Sequence, residues 1–153
     1  MTEPSASIRQ ARAEDAGAIS DCVAAAYRPY IARIGKPPAP MLENYAETIQ
    51  RHAVFVLIIN DNIVGVLALI KQDQELLLDN VAIHPNYQRR GFGRQLMALA
   101  EAHAKTHGLE TVILYTNEQM TENIELYKKL GFVETERRIE EGYRRVYMRK
   151  EIK

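Results

Sequence analysis

A single mixed α/β domain over residues 1–153 is the fold the sequence predicts, and three features point to it. Short β-rich runs end in turn-forming residues, one long segment carries helical periodicity, and no repeat, low-complexity tract or linker divides the chain. A chain of 153 residues buries one sizeable core without disulfide or metal staples.

Ser7 to Ala11 reads as a short first strand. Asp15 then caps an alanine-rich helix running to about Pro29, with Ile19, Cys22, Val23 and Ala26 on its apolar face. Gly35-Lys36-Pro37-Pro38-Ala39-Pro40 breaks regular structure, because proline fixes its own backbone angle and biases the preceding residue away from helix. Met41 to Arg51 resumes a helical pattern. Val54 to Ile59 and Ile63 to Ile70 form a hairpin about Asn60-Asp61-Asn62.

Leu76 to Ile83 is a third apolar run, interrupted by Asp79-Asn80 and ending at His84-Pro85-Asn86. Two polar residues inside a buried strand need partners. From Phe92 to His107, the residues Phe92, Leu96, Leu99, Ala100 and His103 follow one helix face, and Gly108 stops the helix. Thr111 to Tyr115 is a strand, and Thr121 or Glu122 opens a helix that Gly131 closes after Leu130. Phe132 begins the final strands, which turn at Glu141-Gly142. Spacing does not give the strand order; the sheet is expected to mix parallel and antiparallel neighbours.

Charge and composition narrow the functional classes. Twenty basic and twenty acidic side chains leave no global field to draw nucleic acid, an anionic membrane or acidic substrates. The single cysteine, Cys22, has no internal disulfide partner, and no charged-then-apolar leader opens the sequence; a cytoplasmic setting is expected. The longest apolar runs fall far short of the roughly 20 residues that a membrane helix needs.

The chemistry concentrates at Gln88-Arg89-Arg90-Gly91-Phe92-Gly93, between a strand and the start of the long helix. The first N–H groups of a helix lack internal partners, the helix dipole favours anions there, and glycine lets a ligand approach the backbone. Arg89, Arg90 and Arg94 add positive charge. Read alone, two glycines can also just shape a turn beside a solvated arginine face. The spacing of a P-loop is missing, as is the three-glycine dinucleotide fingerprint.

This segment resembles motif A of the GNAT superfamily of N-acetyltransferases, whose signature is Gln or Arg, two residues, Gly, one residue, then Gly or Ala. Its flanks are similar too: Asn80-Val81-Ala82-Ile83-His84-Pro85 looks like the family's fourth strand and its exit, and Asn123 to Phe132 like its motif B. The resemblance implies a mixed sheet of about six or seven strands flanked by about four helices, with a splayed strand pair holding the cofactor. It further implies an acyltransferase that moves the acetyl group of acetyl-CoA to a primary amine by direct attack, without a metal.

Residue by residue, the resemblance implies that the edge at Val81, Ala82 and Ile83 pairs with the pantetheine arm. The pyrophosphate sits on the N–H groups of Arg89 to Arg94, beside Gln88, while Asn123 and Asn117 bond the arm. The oxyanion donor is then the N–H of Val81 or Ala82, and Tyr127 is the acid toward the coenzyme sulfur; periodicity alone makes Tyr127 a half-buried aromatic on the Ile124 and Leu130 face. Where several relatives carry a strand glutamate this chain has Leu77, so Asp79, two residues on and on the same face, is the candidate base. Glu43 and Glu47 stay open for that role. Tyr30, Lys36 and Tyr45 fall where relatives shape the acceptor pocket.

Other signals weigh less. His103 and His107 share a helix face, but no third ligand completes a metal site, so His103 packs and His107 complements the helix end. His84 is a turn residue with a minor proton-transfer reading, and Cys22 a small core residue. Arg137, Arg138, Arg144 and Arg145 interleave with Glu134, Glu136, Glu140 and Glu141, which favours a cross-strand ion network over a nucleic-acid patch. The acceptor stays open between a small amine and a protein N-terminus or lysine, and the assembly between monomer and homodimer. The competing class is a non-catalytic acyl-CoA sensor.

Overall fold

The computed structural model describes residues 5–152. Seven strands form one sheet in the order β1-β2-β3-β4-β5-β7-β6: β1 (Ala6–Gln10), β2 (Ala53–Ile59), β3 (Asn62–Gln72), β4 (Glu75–Ile83), β5 (Thr111–Asn117), β6 (Val133–Glu140) and β7 (Tyr143–Glu151). Every neighbouring pair is antiparallel except β4 and β5. That exception follows from chain order, since the long helix between them returns the chain for a parallel crossover.

The helices are α1 (Ala16–Tyr27), the single turn α2 (Ile31–Ile34), α3 (Tyr45–Arg51), α4 (Phe92–Thr106) and α5 (Thr121–Lys129). On one sheet face, Ile19, Cys22 and Val23 of α1 pack with Tyr45 of α3 over Val54, Val56, Val66 and Ala68. On the other, Leu96, Met97, Ala100 and Ala104 of α4 and Ile124 and Tyr127 of α5 cover Leu67, Leu69, Leu76, Leu78 and Leu114. The buried stripe of α4 therefore includes Met97 and Ala104, while Leu99 and His103 lie at its half-buried margin.

Two local expectations change. Asp15 does not cap α1 with its side chain; its carboxylate accepts from the Arg12 N–H (2.7 Å) and the Arg9 guanidinium (2.8 Å), tying the preceding 3-10 turn to β1. Those two donors hold it below the usual carboxylate range, with Arg9 the larger cause. Met41 to Arg51 is not one helix either. A 3-10 turn at Ala39–Leu42 gives way to extended backbone at Glu43, and Asn44 caps α3 by accepting from the Glu47 N–H (3.2 Å). Proline-rich sequence on one side and a strong capping residue on the other split the segment.

The β4–β5 pairing covers only Leu76–Leu78 against Val112–Leu114. Beyond it the strands part. A register shift between Ala68 and Leu69 of β3 leaves Asp79 as an extra residue in β4, and such bulges sharpen local twist.

Candidate functional site

The wedge between β4 and β5 opens into two cavities that share Tyr27, Val81 and Tyr127 in their walls. The longer one, about 440 Å³, runs from Val81 past Ile83 and Gln88 to the start of α4, with Asn123, Leu126 and Tyr127 of α5 opposite. The smaller, about 80 Å³, lies on the far side of Val81, among Asp79, Glu43, Tyr115, Tyr143, Arg145 and the Pro38–Pro40 segment.

Along the long cleft, backbone orientation follows from the β3–β4 ladder. The His84 N–H bonds the Val64 carbonyl (2.8 Å), and antiparallel pairs alternate, so His84, Ala82 and Asn80 turn their amides toward β3. Val81 and Ile83 therefore turn theirs to the open gap. Side chains outside the sheet confirm this orientation: the Tyr27 hydroxyl donates to the Val81 carbonyl (3.3 Å) and the Gln88 amide to that of Ile83 (2.9 Å). Of the two expected oxyanion donors, Val81 has the outward N–H; that of Ala82 points to β3.

The loop after β4 leaves the first amides of α4 without partners among the described residues. Its first α4 hydrogen bond runs from the Gln95 N–H to the Gly91 carbonyl (3.1 Å), leaving Phe92, Gly93 and Arg94 with uncommitted amides. Gly91 has φ +84°, a left-handed conformation that side chains disfavour, and nothing lies within 4 Å of where a Cβ would stand at Gly91 or Gly93. Arg89 is also left-handed, at φ 65°. Arg89 and Arg94 line the cleft, whereas Arg90 turns beside it onto the Tyr87 ring, 5.4 Å from its centroid.

At the junction, Tyr127 is 7% exposed and its phenol is raised above the ordinary tyrosine value by burial. Among the described residues its hydroxyl has no hydrogen-bond partner, although both cavities reach the side chain. Asp79 and Asn80 both face α1 and α3. The Asn80 amide accepts from Tyr27 (2.8 Å) and donates to the Tyr45 hydroxyl (2.9 Å), which in turn donates to the Pro40 carbonyl (2.7 Å). Asp79 and Glu43 together border the small cavity and a groove beside α3. Burial first and Glu43 second raise Asp79 to about 7, with Arg145 opposing. Thr48 donates to Glu43 (2.7 Å) from the other side.

The remaining expected residues scatter. Tyr30 lines the long cleft, where it donates to Glu122 (3.1 Å); Arg33, also on Glu122 (2.7 Å), is the main reason that carboxyl is held down at about 2. Tyr45 is 2% exposed, in the layer behind Asn80. Lys36 sits over the Tyr143 ring at 4.0 Å, behind the small cavity's wall. Asn117 borders the small cavity and accepts from the Gln119 N–H (2.9 Å), while Asn123 borders the long cleft. Sequence reasoning missed Tyr115 and Tyr143 and gave Arg145 only an ion-pair role. Tyr143 donates to the Pro37 carbonyl (2.6 Å), joining the last hairpin to the proline loop across the small cavity. Nothing local marks either tyrosine, since their meeting depends on the β5–β7 pairing.

Outside the cavities, His107 and His103 stack at 4.2 Å, and burial lowers His103 below the ordinary histidine value. No metal-competent cluster occurs among the described residues. Cys22 is buried in the α1 core and raised to about 11 by that burial. His84 accepts from the Asn86 N–H (3.1 Å) in a turn. The hairpin arginines form ion pairs, Arg137 with Glu134 (2.9 Å) and Glu118 (3.4 Å), Arg145 with Glu140 (3.6 Å) and Arg138 with Glu136. No helix among the described residues is long and apolar enough to cross a membrane.

Comparison with known proteins places this geometry. A PaiA N-acetyltransferase from Thermoplasma acidophilum, solved with coenzyme A, superposes with a TM-score of 0.80 at 19% identity, over 96% of this chain and 99% of that one. The ribosomal-protein-S18-alanine N-acetyltransferase of Escherichia coli gives 0.79 at 22% identity, over 97% and 94%. Both likenesses establish the fold. In sequence, the chain is 31% identical over 100 residues to the uncharacterized N-acetyltransferase YvbK of Bacillus subtilis, covering 65% of this chain and 63% of YvbK. Mycothiol acetyltransferase of Cellulomonas flavigena is 44% identical over 55 residues, 36% of this chain and 16% of that protein. The chain thus spans less than two thirds of these relatives. The acetyltransferase (GNAT) family profile matches residues 19–132, from inside α1 through motif A to the end of motif B, and the chain belongs to that family.

Proposed function

We propose that this chain, acting as one domain, transfers the acetyl group of acetyl-CoA to a primary amine by direct attack in a ternary complex. The observation that carries the reading is the junction at Val81 and Tyr127, where an anion-ready cleft meets a cavity holding a paired carboxyl of raised pKa. The residues fit such a ligand: an open strand edge, three uncommitted helical amides, and free space above Gly91 and Gly93.

Acetyl-CoA supplies an activated acyl group as its thioester. The amides of Phe92, Gly93 and Arg94, with Arg89 and Arg94, hold its pyrophosphate. Val81 and Ile83 pair with the extended arm as a neighbouring strand would, and Asn123 supports it from α5. The Val81 N–H, already turned to the gap, stabilises negative charge as it develops on the carbonyl oxygen. Asp79, ionised above about 7, takes a proton from the arriving amine, and Tyr127 gives its proton to the departing sulfur. An ammonium acceptor and acetyl-CoA thereby become an amide, free coenzyme A and one proton. Relatives of this chain are named for acetylation of the alanine of ribosomal protein bS18 and for mycothiol acetylation.

Calorimetric titration with acetyl-CoA on the wild type and Gly91→Trp tests the cleft, and amine-dependent release of coenzyme A in the same preparations tests the enzyme. Micromolar binding lost in Gly91→Trp, with turnover lost in Tyr127→Phe, is the expected pattern. Binding without turnover for any amine selects the sensor; no binding overturns the reading.

A further inference from the structure

We propose that the acceptor is a side-chain-type aliphatic primary amine, bound as its ammonium ion by Glu43 and Asp79 together. The inference rests on the acetyl-transfer reading and deepens it. The cavity, of about 80 Å³, is narrow enough to favour a slender aliphatic stem. Pro38, Pro40, Met120, Tyr115 and Tyr143 give that stem apolar and aromatic walls, whose ring faces favour a cation.

The two carboxyls in its wall explain the form in which the amine arrives. Glu43 and Asp79 line the same cavity, and an ammonium group, which has three donors, can bond to both at once. Thr48 fixes Glu43 from behind. The charged and titratable groups around the pair are Tyr27 from α1, Tyr45, Glu47 and Arg51 from α3 with His52 after it, Tyr115 from β5, Tyr127 from α5, and Tyr143 and Arg145 from β7. Arg145 is engaged with Glu140 (3.6 Å) and lies over Tyr115, 4.4 Å from its centroid, so its charge is partly answered before any ligand enters.

A side-chain-type amine, with a pKa of about 10.4, stays an ammonium ion at neutral pH, whereas an α-amine of about 7.7–8.0 is neutral in a good fraction and needs little counter-charge. The paired carboxyls suit the first. Glu43 and Asp79 also border a second groove, of about 240 Å³, with Glu47, Arg51 and His52. Through it the proton that Asp79 takes from the amine reaches water without crossing the occupied cavity.

The test measures coenzyme A release by the whole chain with three acceptors: n-pentylamine, an N-terminally blocked peptide with one lysine, and a lysine-free peptide with a free N-terminal alanine. Pentylamine or the lysine peptide should exceed the free N-terminus in kcat/KM by about tenfold or more, and whichever leads identifies a small amine or a protein lysine as the source. Glu43→Gln should raise the KM of the favoured amine by about tenfold while leaving acetyl-CoA affinity, measured by calorimetry, unchanged. Preference for the free N-terminus, or an unchanged amine KM in Glu43→Gln, overturns this inference alone. Failure of the wild type to bind acetyl-CoA overturns the acetyl-transfer reading with it.

Discussion

Strict alternation from Asp79 would send Asn80 to the α4 side of the sheet, where neither Tyr27 nor Tyr45 could reach it. The extra residue in β4 turns both polar side chains toward α1 and α3, so Asn80 is satisfied by two tyrosines and Asp79 is left beside Glu43. The base must be ionised to act, so kcat/KM is expected to rise with pH through about 7. Glu43→Gln removes a group that raises Asp79, and the acidic limb should move to lower pH. A limb that stays in place separates Asp79 from the profile. Asp79→Asn should lower kcat by about a hundredfold or more, with acetyl-CoA affinity kept. Stability has its own sign. A raised carboxyl binds more protons folded than unfolded, so its contribution is full below the ordinary aspartate value near 4 and is lost as pH rises through about 7. Thermal unfolding of the wild type relative to Asp79→Asn should therefore decline across that window, and parallel curves would contradict the pairing.

At the scale of elements, the strand edge depends on close packing at Gly65, where an added Cβ would meet the Leu57 Cβ at 2.9 Å and Ile83 at 3.0 Å. Gly65→Ala is expected to destabilise the fold by about 1–3 kcal/mol in denaturant unfolding and to weaken acetyl-CoA binding by displacing the end of β4. The proline loop belongs to the other cavity. Pro38 and Pro40 line it and Pro37 accepts from Tyr143, so replacing the cluster by glycine and serine should raise the amine KM more than that of acetyl-CoA. Equal effects would detach the loop from acceptor binding. Most of these elements were legible because their signals are local. Two of the three hairpin turns use Asn60-Asp61 and Glu141-Gly142 at positive φ, and α4 runs from Phe92 nearly to Gly108 as its periodicity predicts. The split before α3 was not, because an extended Glu43 between two helical turns is held by its contacts with Thr48 and Asp79 and has no periodic signature.

Across the whole molecule the decisive feature is a sheet that parts in its middle. An acetyl-CoA arm bridging β4 toward β5 would tie the halves together, so saturating ligand should raise the melting temperature, by about 2.7 kcal/mol of added stability at a hundredfold excess over Kd. Gly91→Trp should abolish that shift; a shift that survives moves the binding site elsewhere. Lysine and arginine balance aspartate and glutamate over the chain, and the hairpin arginines are held by glutamates, so oligonucleotides should not bind at physiological salt. By itself the sequence determined most of the elements, the glycine-bearing loop before α4 and the tyrosine of motif B, because turn chemistry, helix periodicity and a family motif are written within a few consecutive residues. Only the tertiary structure decided that Val81 rather than Ala82 turns its amide to the gap, that Asp79 lies beside Glu43, and that Tyr115, Tyr143 and Arg145 wall the small cavity. Each of those depends on ladder register, a bulge or strand order, which long-range pairing sets and local sequence does not encode.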